Sequence, residues 1–299
     1  MIANTAGILE ASQPERRSQF SLVLATVGRT HEVERLLCSL DRQEGATFEL
    51  IVVDQNTDDR LVPYLESRKN RYPIQHLRRD RCGASGARNI GLRYVSGDIV
   101  AFPDDDCWYP DGLLETVNRV IAQNPCWDGV TCMSRDAKGA VSNGRFAEDE
   151  GFVNFLAAWA QAIEYTMFFR RAVVDAVGPF DDELGVGGCT PFGSGEGTDY
   201  LLRVIGTGFR IYYRPALFVH HPNPYAVYDR RTIRKARSYG AGMGRVVRRH
   251  AYPVWFKLRM LARPLAGALL SVATLKPGKA MFHLSTFLGR LRGLLDPIT

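Results

Sequence analysis

The chain has 299 residues, 45% of them hydrophobic and 23% charged, which is enough apolar material for a sizeable core and excludes a disordered or fibrous protein. Six cysteines without a Cys-x-x-Cys pair exclude a disulfide framework and predict reduced thiols in a cytoplasmic setting. Net charge is +6 but unevenly placed: from Asp229 onward fifteen Lys and Arg face two acids, so the tail stands at +13 and the first 228 residues at −7.

The first 19 residues are polar, lack the apolar core of a secretory signal, and read as an N-terminal tail. Phe20 to Ala25 is a β-rich apolar run. After a short loop, Thr30 stands at the cap position of a helix whose apolar residues Val33, Leu36, Leu37 and Leu40 recur at helical spacing. A second strand, Phe48 to Val53, ends on Asp54, and a helix to about Arg68 leads to a short strand near Ile74 to Leu77. This β-α-β-α-β order predicts an α/β fold with a parallel sheet and function at the carboxyl ends of its strands.

Small residues from Gly83 to Ala87 open the next helix, with Arg88 in its second turn. Such a start either lets backbone amides approach an anion, with Arg88 adding charge, or simply packs the helix against the sheet. The strand Ile99 to Phe102 then stops at Pro103 and releases Asp104, Asp105 and Asp106. Adjacent carboxylates repel one another, and a divalent cation that also holds a polyphosphate relieves this, since Mg²⁺ and Mn²⁺ take hard oxygen ligands. In an extended segment Asp104 and Asp106 share one side and Asp105 points away, whereas a solvated turn before the next helix would also accept three acids.

That helix begins at Pro110 and carries Leu113, Leu114, Val117, Val120 and Ile121 on one face. Trp127 to Met133 reads as a strand, Ala137 to Gly144 as a polar turn or hairpin, Phe152 to Ala162 as helical and Tyr165 to Phe169 as a strand. Phe152, Phe155 and Trp159 suit core packing more than a sugar-stacking platform. A glycine-dense loop, Gly185 to Gly197, runs into a helix through Leu201, Leu202 and Ile205. Glu196 and Asp199 at that helix start either favour the macrodipole or supply a general base. Strand pieces from Phe209 to Val219 deliver His220 and His221, and one imidazole could complete a metal site begun by the Asp pair. His31, His76, His250 and His283 have no comparable setting.

In this order, SLVLATVGRTHEVERLLCSL, the Asp54 strand end, GASGARNIGL, FPDDD followed by W-Y-P, GPFDDEL, GEGTDYLLR and VHHP resemble the inverting family 2 glycosyltransferases of GT-A fold, in particular bacterial ones of cell-surface polysaccharide assembly. The resemblance spans about residues 20–250 and also touches Ser238 to Gly244. It implies a Rossmann-like, mostly parallel sheet flanked by helices, a catalytic domain over 20–228 and a basic amphipathic helical extension over 229–299. Asp54 would bind the nucleobase of a nucleotide-sugar donor, a uridine or thymidine diphosphate sugar, with the Thr26 to Arg29 loop lining the pocket. Arg88 would sit beside the diphosphate, Asp104 near ribose and metal, and Asp106 on Mg²⁺ or Mn²⁺, with His220 or His221 completing the metal shell. Many relatives carry Gly-Glu-Asp where this chain has Gly195, Glu196 and Gly197, and that Asp is their base. Glu196 is therefore the first choice for base and Asp199 the second.

The resemblance implies inverting transfer of a sugar to a glycan or lipid-linked acceptor. The departure at Gly197 raises an inactive donor-binding partner as one alternative, and the metal motif a nucleotidyltransferase as another. The longest uncharged run of the tail, Pro264 to Leu275, is shorter than the roughly 20 residues a spanning helix needs. With its cations the tail is expected to lie on the inner face of the cell membrane as a peripheral anchor. The body lacks the aromatic and basic interleaving of a nucleic-acid reader, so no nucleic-acid partner is expected.

Overall fold

A computed structural model describes residues 19–223 and 227–296. The expected N-terminal tail, Gln19 apart, lies outside the described residues.

The first half follows the predicted alternation. Strand β1 (Phe20–Thr26), helix α1 (His31–Leu40), β2 (Phe48–Asp54), α2 (Val62–Glu66), β3 (Ile74–Arg78), α3 (Gly83–Leu92), β4 (Ile99–Ala101) and α4 (Leu113–Gln123) follow in turn. Thr30 occupies the N-cap of α1 without a side-chain cap bond. Strands β1 to β4 pair with one another in parallel. Period-two alternation explains how the sheet is covered on both sides. Phe20, Leu22 and Leu24 of β1 face the cluster built with Val33, Leu36 and Leu37 of α1, while Val23 joins the opposite cluster. Gly91 of α3 lies directly on β1, where a Cβ would come 2.4 Å from Val23 Cγ1, so the helix seats closely on the strand.

Beyond α4 the order changes. Strand β5 (Gly129–Arg135) is followed by β6 (Gly151–Phe152), two 3-10 turns (Ala157–Ala160 and Glu164–Thr166), β7 (Met167–Arg170), α5 (Arg171–Val177), α6 (Glu196–Gly206) and β8 (Ile211–His220). The eight-stranded sheet runs β3-β2-β1-β4-β7-β5-β8-β6. Strand β7 enters antiparallel between β4 and β5, and β5 pairs with β8 in parallel. Residues Phe152 to Ala162, expected to be helical, hold only the first 3-10 turn. Phe155 stacks on Tyr252 at 4.2 Å and Trp159 Nε1 donates to the Tyr252 hydroxyl, which makes both packing residues. Phe152 packs edge-on to Trp127 and Tyr212 at the sheet edge.

Three long helices close the chain: α7 (Arg230–Arg249), α8 (Val254–Ala273) and α9 (Pro277–Leu295). Asp229 caps α7 by accepting from the Thr232 amide. Helices α7 and α9 touch backbone to backbone, because a Cβ on Gly289 would lie 2.1 Å from Arg237 O and one on Gly293 2.0 Å from Ala241 O. Among the described residues no helix is long and apolar enough to cross a membrane. All six cysteines are free thiols.

Candidate active site

A cleft of about 770 Å³ opens at the carboxyl ends of β1 and β4. Its walls come from the loop after β1, the Asp triplet after β4, the start of α3, the second 3-10 turn, the start of α6, the end of β8 and one face of α7. Parallel strands bring their carboxyl ends side by side, which is why segments far apart in the chain converge here.

The Asp triplet separates as expected, but through a turn rather than an extended segment, the Cys107 amide donating to Asp104 O at 3.1 Å. Asp105 turns toward β1, accepting from Thr26 Oγ1 at 2.9 Å and pairing with Arg29 Nη1 at 2.9 Å. Burial pushes its carboxyl up to about 6 despite that arginine. Asp104, Asp106 and His221 each present a ligand atom, all within 4.8 Å of one another. His221 Nε2 lies 3.0 Å from Asp106 Oδ1, while its Nδ1 faces the Pro222 carbonyl at 2.8 Å. That second contact holds the ring so that Nε2 is turned to the carboxylates. Burial pushes Asp106 up, but His221 and Arg29 more than offset this and leave it at about 2. Two carboxylates and an imidazole form a donor set suited to Mn²⁺ or Mg²⁺.

His220 is not brought to this group. Its ring stacks on Trp108 at 5.0 Å, because the strand alternation that turns His221 inward turns His220 to the other side.

Arg88, almost wholly buried, lies beneath three carboxylates. Its Nη2 donates to Asp104 Oδ1 at 2.7 Å and stands 3.7 Å from Glu164 Oε1, and its Nη1 stands 3.6 Å from Glu196 Oε1. Nε and Nη1 are buried and make no hydrogen bond among the described residues, so this guanidinium acts on the cleft through its charge. The amides opening α3 are a different matter. The Ala84 amide donates to Val186 O and Ser85 Oγ to Leu184 O, and a Cβ on Gly83 would meet the Gly188 backbone. The glycine-dense loop thus covers this helix start, and packing, the other reading of those small residues, accounts for them.

Asp54 sits behind the cleft wall. His76 Nε2 lies 2.9 Å from Oδ2, and Oδ1 accepts from the Asn56 amide and side chain. Asn56 in turn accepts from the Gly28 amide at 2.6 Å, and Gln55 rather than Asp54 lines the cleft. Burial pushes Asp54 up, yet the bonds from His76 and Asn56 leave it below the ordinary range. His76, which no local pattern marks, is therefore part of the wall beneath the Thr26 to Arg29 loop.

Of the two residues weighed as base, Glu196 lines the cleft and Asp199 does not. Asp199 is completely buried, its oxygens held by Arg203 Nε at 2.9 Å and His250 Nε2 at 2.8 Å. That ion-pair cluster ties α6 to the end of α7. Glu164, in the second 3-10 turn, is a cleft carboxylate that periodicity does not reveal. Its signal is composition: it is the sole charged residue between Gly151 and Arg170.

Helix α7 supplies the outer wall. Arg231, Lys235 and Tyr239 face the cleft. Ser238 Oγ accepts from the Gly193 amide and donates to Pro191 O, and Ser194 Oγ donates to Tyr239 O. Gly242 lets α7 sit on the loop itself, since a Cβ there would be 2.0 Å from Ser194 O. The Ser238 to Gly244 segment thereby fixes the loop that delivers Glu196.

A Rossmann-like sheet with an acidic, cation-suited cleft at its carboxyl edge defines an α/β protein whose candidate site lies at the strand ends. Residues 21–173 match the family described as Glycosyl transferase family 2, and the chain belongs to that family. A β-1,3-glucosyltransferase of Escherichia coli, WfgD, whose donor is UDP-Glc and whose acceptor is α-D-GlcNAc-diphosphoundecaprenol, is 28% identical over 109 residues, 35% of this chain and 42% of its own length. The β-monoglucosyldiacylglycerol synthase of Synechocystis is 35% identical over 174 residues, 53% of this chain and 35% of its own. The matched stretches thus span less than half of either relative. Among solved structures, the Pyrobaculum calidifontis mannosyltransferase in complex with GDP-Man and Mn²⁺ superposes with a TM-score of 0.65 at 19% identity, covering 96% of this chain and 90% of that one. TarS of S. aureus with UDP-GlcNAc gives 0.60 at 16% identity, covering 89% and 91%. These likenesses establish the GT-A fold.

Proposed function

We propose that this chain transfers a glycosyl group, with inversion, from a nucleoside-diphosphate sugar to a hydroxyl of a glycan or lipid-linked acceptor in cell-surface polysaccharide synthesis. The observation that carries this reading is the convergence of Asp104, Asp106 and His221 in one cleft above a buried arginine. These three side chains would hold Mn²⁺ or Mg²⁺, which when bound supplies positive charge to a diphosphate leaving group. Arg88 adds a fixed positive charge beneath it, in place before charge develops. Arg231 and Lys235 from α7 stand on the opposite wall, where they would attract the phosphates of donor or acceptor. Thr26, Arg29 and Gln55 would line the nucleoside end, with Asp54 holding that wall through Asn56. A uridine or thymidine donor remains the working choice, and the solved relatives are bound to UDP-GlcNAc and GDP-Man.

The acceptor end is proposed from the last two helices. Trp255, Leu258, Leu269 and Leu270 on α8 and Met281 on α9 are half exposed or more, and Lys257, Arg259, Lys276 and Lys279 lie among them. Exposed apolar surface mixed with cations suits the interface of an anionic membrane. Helices α8 and α9 would thus act as the peripheral anchor, on the cytoplasmic face, whereas α7, which lines the cleft, would belong with the catalytic body rather than with an anchor over 229–299.

The test is nucleoside-diphosphate release from a panel of nucleotide sugars, with Mn²⁺, Mg²⁺ or EDTA, and with or without a membrane lipid extract. Release that needs metal and rises with the extract is the expected result. A second reading, a donor-binding protein without turnover, is favoured by Gly197, and predicts metal-dependent nucleotide binding with no release from any donor.

A further inference from the structure

We propose that Glu164 is the general base of this site, taking the proton from the acceptor hydroxyl in place of a carboxylate on α6; the assignment rests on the transferase reading above. Five carboxylates line the cleft. Asp104 and Asp106 belong to the cation group, and Asp105 is taken by Thr26 and Arg29. Of the remaining two, the Glu164 side chain keeps 17% of its surface exposed and the Glu196 side chain 5%. Glu164 is therefore the more accessible of the two to an acceptor entering the cleft.

Its position also explains Gly197. A Cβ at 197 would lie 2.5 Å from Glu164 Oε2 and 3.0 Å from its Cβ and backbone nitrogen. The Glu164 carboxylate thus occupies the volume that a side chain at 197 would need, over the first turn of α6. One carboxylate fits there, and this chain delivers it from the turn before β7. The same turn is tied to the cation group, because Tyr165 stacks on the His221 ring at 4.9 Å and 15°.

The surroundings make Glu164, once ionised, a stronger proton acceptor than an ordinary carboxylate, so transfer should rise with pH as it ionises. Burial first, then Glu196 of α6 and Asp104 after β4, push the Glu164 carboxyl well above its usual range, against Arg88 of α3; Tyr239 of α7 faces the same group. In the step assigned to it, the acceptor O–H bond breaks and the proton goes to a Glu164 oxygen. The acceptor oxygen bonds to the anomeric carbon, and the carbon–oxygen bond to the diphosphate breaks, its electron pair leaving with the nucleoside diphosphate.

The experiment uses the full chain with Mn²⁺ and the donor that wild type turns over, measuring both transfer and nucleoside-diphosphate affinity by calorimetry. For Glu164→Gln, transfer should fall by about 100-fold or more, with affinity held within about threefold. In Glu164→Ala the same loss is expected, again with affinity held within about threefold. Transfer within threefold of wild type in Glu164→Gln overturns the assignment while leaving the transferase reading intact. Loss of nucleotide affinity together with transfer also overturns it, because Glu164 would then serve to hold Arg88. A wild-type protein that releases no nucleoside diphosphate from any donor overturns the transferase reading and the base with it.

Discussion

Asp106 carries one ligand atom, an arginine contact and a histidine contact at once. Asp106→Ala should therefore remove metal-dependent nucleotide binding, seen as titrations that no longer differ between Mn²⁺ and EDTA. The two histidines separate cleanly in the fold, so His221→Ala should weaken Mn²⁺ binding about tenfold or more, a loss within the range seen even for outer-shell partners. His220→Ala should leave that affinity unchanged, since its ring packs on Trp108. Equal losses in the two variants would remove His221 from the cation group. Glu164 has a further consequence for stability. A carboxyl whose folded pKa is raised binds more protons in the folded state, so stability falls as pH rises above the unfolded value near 4.3 toward the folded one. Glu164→Gln should accordingly raise the melting temperature at pH 8 by a few degrees, from a gain on the order of 1 kcal/mol, and by less at pH 5. A variant destabilised equally at both values would mean that its neighbours need the charge.

Helix α7 is the element on which the site leans. Its glycine-rich segment accepts the loop before α6, and its far end holds Asp199 through His250. Gly242→Val would drive two methyl groups into the Ser194 backbone, and overpacking of this kind costs about 1–3 kcal/mol or more. The expected result is a lower melting temperature together with weaker transfer, because the displaced loop carries Glu196. Unchanged activity would mean that the loop is positioned without α7. The use of this segment is legible only once α7 is seen lying on residues 193–195.

At the scale of the molecule, charge is segregated as the sequence lays it out, with an acidic cleft domain and a cationic helical end. On the proposed peripheral reading, the apolar residues exposed on α8 and α9 would hold a lipid surface. Leu269→Asp with Leu270→Asp should reduce cosedimentation with anionic vesicles several-fold and leave nucleotide affinity unchanged. Raising salt should weaken binding of the wild type as its cations are screened. Vesicle binding indifferent to both the substitutions and the salt would place these helices against something other than lipid.

The β-α alternation and the strand ends were determined by the sequence itself, because each depends on period and punctuation within about a dozen residues, whereas the triplet separates Asp105 from Asp104 and Asp106 through a turn rather than by extended alternation. The antiparallel entry of β7 was not, since β4 and β5 must both be in place before Met167 to Arg170 has anything to pair with. The roles of His76, His250 and Glu164 have the same origin. Each is an unremarkable polar residue locally, and it acquires a partner only when the fold brings Asp54, Asp199 or Arg88 to it across 22, 51 or 76 positions. Gly197 is the clearest case: in the chain it is a missing carboxylate, and in the fold it is the space that a carboxylate from elsewhere fills.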